Sequence, residues 1–336
     1  MKFIPFKQPD HFANTWRNVV VMIILGGILL GGGIFVVLKK ESVSLVRVPG
    51  TILATAGGDI APPPPPLPPP PPLPTLSGTL PEPETFTAHG IMVKDTQTGV
   101  KLYGKQEYDV RPLASLAKLM SALVLLEHPI TWQNTTTVAT DVMIDTHMYA
   151  GDTYTLDELW TAALVGSSNK AMMSLVDVTG WTREAFVERM NQKATELGMA
   201  QTVFVEPTGL DPGNVSTASD AALLLEESLR QDKIRLTVLQ KEQELYSQER
   251  KNRHHLWNTN WLLLGWIPNN FEIIGGKTGY IAASGYNFAI QVADEKKYPI
   301  TVVILGASSH EGRFTEARDL AAVVFQTYVW PGEQEY

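Results

Sequence analysis

Residues 113 to 120 read Leu-Ala-Ser-Leu-Ala-Lys-Leu-Met, and the fold is decided by what this stretch is. Pro112 precedes it and a Leu/Ala-rich run continues to Glu127, a pattern that predicts a helix over 113–127. On a helix, positions i and i+3 share a face, so Lys118 would reach the hydroxyl of Ser115 from the next turn. A serine near a helix start also has free backbone N–H groups and the positive end of the dipole beside it, both suited to an oxyanion. A hydroxyl is a poor nucleophile until a base takes its proton. Lysine ordinarily titrates near ~10.4, but burial, the dipole and a second cation, Lys277, would push that value down. The expectation is a serine nucleophile with a neutral lysine as base. Alone, an S-x-x-K is more often a helix-start serine with a surface lysine, and Ser167-Ser-Asn-Lys170 has the same spacing.

Two further motifs follow at long range, Ser167-Ser-Asn169 and Lys277-Thr-Gly279, and their order and separation carry more weight than any one of them. Ser167 and Asn169 come after an apolar helix ending in Trp160 to Val165, so they are expected on a loop with small polar side chains facing a cleft. Their plainer reading is a helix cap for the stretch that starts at Lys170. Lys277-Thr-Gly-Tyr280 is expected at the start of a strand. There a glycine lets a ligand approach the backbone, and a lysine with a hydroxyl can bind a carboxylate. As an isolated tripeptide, Lys-Thr-Gly is a common turn.

Around these motifs the chain is globular from about Thr85 almost to Tyr336. Strands are predicted over 86–94 and 100–108, joined by a turn at 95–99, and again over 273–293 and 298–306. Helical patterns cover 156–163, 171–178, 183–197, 220–229 and 316–327. Strands at both ends with helices between them predict one α/β domain whose sheet is closed by its termini.

The joint pattern resembles the penicillin-binding serine D-Ala-D-Ala carboxypeptidases, a peptidase S11-like family. The likeness extends to Ala-Gly-Asp-Thr-Tyr-Thr-Leu-Asp-Glu-Leu (150–159), Phe-Val-Glu-Pro-Thr-Gly-Leu (204–210), Val-Ser-Thr-Ala-Ser-Asp (215–220), Asn-Thr-Asn (258–260) and Gly-Gly-Lys-Thr-Gly-Tyr (275–280). The resemblance implies an α+β, β-lactamase/transpeptidase-like domain over 85–330, an antiparallel sheet flanked by helices. It also implies the roles of the site. Ser115 would attack the carbonyl between two D-alanines of a peptidoglycan stem peptide, with the N–H groups of Ser115 and Tyr280 as oxyanion hole. Lys118 would take the serine proton and Ser167 would relay one to the leaving amine. Asn169 would hold the substrate amide and Lys277 with Thr278 the terminal carboxylate, on a substrate-binding edge that Gly279 and Tyr280 complete. β-Lactams would trap the acyl-enzyme, and no metal or organic cofactor is implied. Two positions depart from the pattern: Lys170 stands where the family usually has Asp, and Ile281 where a Thr usually follows.

Other readings stay open. Cleavage of cross-links as an endopeptidase fits the same motifs. A class A β-lactamase shares them too, but here Ser168 replaces the middle Asp and no Glu-bearing deacylation loop is evident between Asn169 and Lys277. A silent wall-binding module on a stalk is the alternative of a different class. A Ser/His/Asp hydrolase is disfavoured by the lack of a G-x-S-x-G elbow, and the adjacent His254 and His255 do not have metal-ligand spacing.

Upstream, residues 19–38 (VVVMIILGGILLGGGIFVVL) carry no charge over a length that spans a bilayer as a helix. Trp16 sits where an interfacial anchor would, and the nearest cleavage-like site, Ala54-Thr55-Ala56, is far downstream. An uncleaved anchor is expected, preceded by a short segment at 1–18 and followed by a linker over 39–84; a tail of 331–336 closes the chain. Within the linker, residues 61–74 (APPPPPLPPPPPLP) are expected to form an extended polyproline rod. From Pro62 to Pro74 it would reach about 40 Å at ~3.1 Å per residue, a stiff spacer between membrane and domain, with a ligand for a proline-recognising domain as the competing reading. Lys2, Lys7 and Arg17 before the span balance Lys39, Lys40 and Arg47 after it, so charge alone does not orient it. The resemblance does, by requiring the domain to face the wall: N-terminus inside, residues 39 onward outside. Gly27 and Gly31 form a GxxxG that would permit close helix pairing. A net charge of -8 argues against nucleic acid, and the absence of cysteine excludes disulfides and thiolate chemistry.

Overall fold

Ile300 to Leu305 is a run of Ile, Thr, Val, Val, Ile and Leu, all buried, and a strand apolar on both faces must be covered on both. The computed structural model describes residues 72–138 and 148–331 and shows how this is done. The sheet has five strands: β1 (Gly90–Asp95), β2 (Lys101–Lys105), β5 (Glu272–Ile281), β6 (Gly285–Ala293) and β7 (Pro299–Ala307). Their order across the sheet is β5-β6-β7-β1-β2, antiparallel throughout. The two N-terminal strands therefore complete a sheet begun by the three C-terminal ones, as the sequence predicts. Between them in the chain come the hairpin strands β3 (Glu242–Ser247) and β4 (Asn252–Trp257), which pair only with each other.

Alternate side chains of the strands go to opposite faces, which gives two cores. On one face Ile91, Val93, Phe288, Ile290, Val302 and Ile304 meet the C-terminal helix Gly312–Thr327 through Phe314, Leu320 and Val324. On the other, Met92, Ala289, Val303 and Leu305 join a larger core. It is built from α1 (Ala117–Leu126), α2 (Leu156–Leu164), α3 (Asn169–Val178), α4 (Arg183–Glu196), α5 (Ala218–Arg230) and α6 (Asp232–Val238). The C-terminal helix is α7. Trp160 of α2 is fully buried in that core, and its indole N–H donates to Thr237 Oγ1 at 2.9 Å, so the one polar atom of the ring is satisfied.

Several boundaries differ from expectation. The predicted strand over 273–293 is two strands, broken at Ala282–Ser284 and restarted at Gly285 with φ +69°. The predicted helix from residue 113 opens as a 3-10 turn, Ala114–Leu116, before α1. The hairpin and α6 were not predicted. Thr75 and Leu76, assigned to the linker on composition, pair antiparallel with Val329 and Tyr328, and Ser77 N–H donates to the Thr327 carbonyl at 2.7 Å. A two-residue ladder leaves no apolar periodicity to detect, so the folded body begins before residue 85. The predicted span at 19–38, the segment 1–18, the linker as far as residue 71 and the tail 332–336 lie outside the described residues. Among the described residues no helix is long and apolar enough to cross a membrane.

Candidate active site

Ser115 sits in the 3-10 turn at the head of α1, one turn before Lys118. Ala114, immediately before it, has φ +49°, a left-handed conformation that costs a non-glycine residue roughly 1–3 kcal/mol. Neighbours hold it there. Asn287 Nδ2 donates to the carbonyls of Pro112 and Leu113, each at 3.0 Å, and Leu113 N–H donates to the Asn214 carbonyl at 2.8 Å. Two glycines press against the turn. A Cβ at Gly209 (φ +87°) would lie 1.9 Å from the Ala114 carbonyl oxygen, and one at Gly279 would lie 3.1 Å from Ser115 N. The glycine of the Lys-Thr-Gly motif thus lets strand β5 reach the nucleophile's own backbone.

Lys118 is completely buried. Its Nζ lies 2.9 Å from Ser115 Oγ, 2.6 Å from Asn169 Oδ1 and 2.7 Å from the Thr208 carbonyl oxygen. The loop after α4 supplies that last contact, and Glu206 shapes the loop by accepting from Thr208 N–H and Thr208 Oγ1, both at 2.7 Å.

Ser167 and Asn169 straddle the start of α3. Ser168 is the N-cap, its hydroxyl accepting from Ala171 N–H at 3.0 Å. Asn169 is therefore a helical residue rather than a loop residue, while Ser167 stands before the cap at φ +61°. The two flanking side chains diverge to serve different lysines, because Ser167 Oγ accepts from Lys277 Nζ at 2.8 Å. Lys277 lies in the second half of β5, not at its start, and is buried; it also donates to the Thr278 carbonyl at 3.1 Å. Burial first, then the nearby charges of Lys118 and Arg313, hold its amine well below the ordinary lysine value. Thr278 Oγ1 donates to Thr259 Oγ1 at 2.6 Å, which ties the Asn258-Thr-Asn260 segment to the same edge. Tyr280 is half exposed and stacks on Tyr286, ring centroids 4.4 Å apart.

The structure thus brings all eight predicted residues around one groove, and Ser115, Ser167, Thr278, Gly279 and Tyr280 line a cavity of about 550 Å³. The departures fall at its margin: Lys170 Nζ donates to the Met148 carbonyl at 3.3 Å, and Ile281 is half-buried at the end of β5. Sequence reasoning missed Arg313. Its Nη1 donates to the Gly279 carbonyl at 3.1 Å, Nη2 meets His310 Nε2 at 2.9 Å, and its Nε has no partner among the described residues. Burial lowers its pKa to about 10, so it remains a cation at neutral pH. Burial, and next the charge of Arg313, lower the pKa of His310. An arginine in the first turn of a helix, where cations oppose the dipole, is the signal that could have marked it.

Fold and site together define a serine enzyme of the transpeptidase-like class. The family described as D-alanyl-D-alanine carboxypeptidase, peptidase S11, matches residues 77–309. The D-alanyl-D-alanine endopeptidase of Haemophilus influenzae is 32% identical over 248 residues, 70% of this chain and 82% of its own. That of Escherichia coli is 29% identical over 265 residues, 75% and 82%. Among solved structures, penicillin-binding protein D2 of Listeria monocytogenes in its cefotaxime-bound form superimposes with a TM-score of 0.61. It is 27% identical, with 71% of this chain and 98% of that one covered. The chain belongs to the D-alanyl-D-alanine carboxypeptidase family, and is an enzyme of that serine hydrolase family.

Proposed function

We propose that Ser115 is the nucleophile of a penicillin-sensitive D-alanyl-D-alanine carboxypeptidase that trims peptidoglycan stem peptides. One observation carries the assignment: the buried Lys118 Nζ meets two carbonyl oxygens, of Asn169 and Thr208, as well as the Ser115 hydroxyl. A neutral amine has two protons and a lone pair. If the two carbonyls take the protons, the lone pair faces Ser115 O–H and can accept its proton. The serine oxygen then bonds to the carbonyl carbon between the two D-alanines, and Ser115 and Tyr280 N–H groups receive the developing oxyanion. The C–N bond breaks as the proton taken by Lys118 is relayed through the hydroxyl of Ser167, itself held by Lys277, to the leaving amine, which leaves Ser167 protonated and Lys118 neutral again. Thr278, with Lys277 and the buried cation Arg313 behind it, holds the terminal carboxylate, and Asn169 holds the amide on the acyl side. Water attacks the acyl-enzyme and restores the serine.

The apolar run at 19–38 is long enough, at 1.5 Å per residue or about 30 Å, to anchor the chain as a single-pass helix. In this reading the N-terminus is cytoplasmic, and the polyproline segment spaces the catalytic domain from the outer face of the cell membrane.

Incubation of the full chain with a fluorescent penicillin tests the site. The expected result is a stable adduct on Ser115, absent in Ser115→Ala and in Lys118→Arg, whose guanidinium is permanently charged and cannot accept a proton. Release of D-alanine from a pentapeptide ending in D-Ala-D-Ala should fall at least about 10³-fold in both. Rapid penicillin turnover would instead indicate a β-lactamase, and neither adduct nor D-alanine release a non-catalytic wall-binding module.

A further inference from the structure

The cavity beside Ser115 has an aromatic outer wall that a D-alanine leaving group does not use. Trp257 and Trp266 line it with 49% and 53% of their surface exposed, a large apolar area to leave in water at the mouth of a site. They are not loose. Trp261 is stacked on Phe314 of the sheet core at 5.6 Å, Trp266 packs edge-on to Trp261 at 5.5 Å, and Trp257 lies 6.0 Å from Trp266. Trp257 is also stacked on His255, its neighbour on the same face of β4, at 4.5 Å. A platform of indoles is thereby fixed before any ligand arrives, which lowers the entropic cost of binding against it.

The lining shows which side of the scissile bond the wall serves. Ser167, assigned to the leaving amine, and Thr278 and Arg313, assigned to its carboxylate, all line the cavity, whereas Asn169, assigned to the amide on the acyl side, does not. The cavity, about 550 Å³, has the size of a site for a whole small ligand rather than for one methyl group.

We propose that this aromatic cavity is a leaving-group subsite for a D-amino acid with a long apolar side chain, its carboxylate at Thr278 and its side chain over Trp257 and Trp266. The inference rests on the D-alanyl peptidase reading of the site. The bonds are those already given: Ser115 Oγ bonds to the D-alanyl carbon, the C–N bond breaks, and Ser167 protonates the amine that departs. Only the group leaving with that amine is larger. Such a group has two sources, a terminal D-amino acid bulkier than alanine or the acceptor residue of a peptide cross-link, whose side chain continues into a second stem.

The test uses the full chain and three substrates with one acyl part: a terminal D-alanine, a terminal D-methionine and a cross-linked muropeptide dimer. The expected kcat/KM is at least about tenfold higher for one or both bulky leaving groups than for D-alanine, the size of effect one apolar pocket contact supplies. Trp257→Ala and Trp266→Ala should each compress that ratio toward unity, and Trp266→Phe should restore it. Penicillin acylation of each variant reports whether it folds. Preference for the dimer would identify the cross-link as the source, and preference for D-methionine alone the chain terminus. A wild-type ratio near unity, or one unmoved by both alanine variants, would overturn the proposal while leaving the peptidase reading standing. Failure of the peptidase reading would look different: no substrate cleaved and no penicilloyl adduct.

Discussion

Lys277 is buried among cations, and its position makes the site sensitive to alkali. Desolvation favours the neutral amine, and the charges of Lys118, whenever that amine holds a proton, and of Arg313 favour it further, so the pKa falls well below the usual 10.5. A lysine meant to hold a carboxylate must carry a proton when substrate arrives. The proton is present at pH below the depressed pKa and lost as pH rises through it. The profile of kcat/KM, which reports the free enzyme, should therefore fall on an alkaline limb well before the pH at which an ordinary lysine titrates. Lys277→Arg holds its proton to higher pH than the lysine, so its alkaline limb should move upward even if its plateau is lower. Rate measurements on a D-Ala-D-Ala peptide across pH decide this, and an unchanged limb in the variant would assign the ionisation to another group.

At the scale of elements, the segment from Phe204 to Asn214 does for Lys118 what α1 alone cannot. Glu206 accepts from Thr208 at two atoms, from Gly209 N–H and, at 2.5 Å, from Asn214 Nδ2, so one carboxylate rigidifies the turn that presents the Thr208 carbonyl. Gly209→Ala combines a left-handed φ with overlap on the Ala114 carbonyl, and the carbonyl is backbone that cannot swing aside. The expected cost is about 1–3 kcal/mol from the backbone strain alone. Displacement of Ser115 should slow penicillin acylation roughly 10²-fold. Calorimetry and stopped-flow acylation would check both, and a variant acylating at the normal rate would show that the contact does not position the serine. The sequence made much of this legible. Phe-Val-Glu-Pro-Thr-Gly-Leu stood out beside the three motifs, and the sheet's apolar strands and the amphipathic helices were readable from their periods. Legibility failed where the covered face of an element carries polar residues, as with Gln243 and Ser247 beside Leu245. Strand β3 reads Glu-Gln-Glu-Leu-Tyr-Ser with only Leu245 and Ser247 buried, so no hydrophobic alternation marks the hairpin. The break at Ala282–Ser284 sits inside a stretch that is strand on both sides. Arg313 escaped because its partner is a backbone carbonyl on β5, a contact made only once the sheet and α7 have packed.

For the whole molecule, the proposed anchor would fix where the chemistry happens. Residues 19–38 contain no charge, whereas the chain beyond residue 85 has the mixed composition of a folded domain. Membrane attachment should depend on the apolar run alone, because among the described residues no helix is long and apolar enough to substitute for it. Ile28 and Leu29 lie at its centre, where an arginine costs about 2.5–3.5 kcal/mol of insertion free energy. Replacing both with arginine should thus shift the insertion equilibrium by about 5–7 kcal/mol, enough to prevent spanning. The expected outcome is that the full chain stays in the membrane pellet through alkaline carbonate extraction, while Ile28→Arg/Leu29→Arg moves to the supernatant. If the domain outside residues 19–38 folds independently of the anchor, the released variant should still acylate with penicillin at the wild-type rate. Retention of the double variant in the pellet would place membrane attachment elsewhere in the chain. Extraction of the wild type by carbonate would reduce the span to a peripheral contact, and with it the orientation that sets the catalytic groove toward the wall.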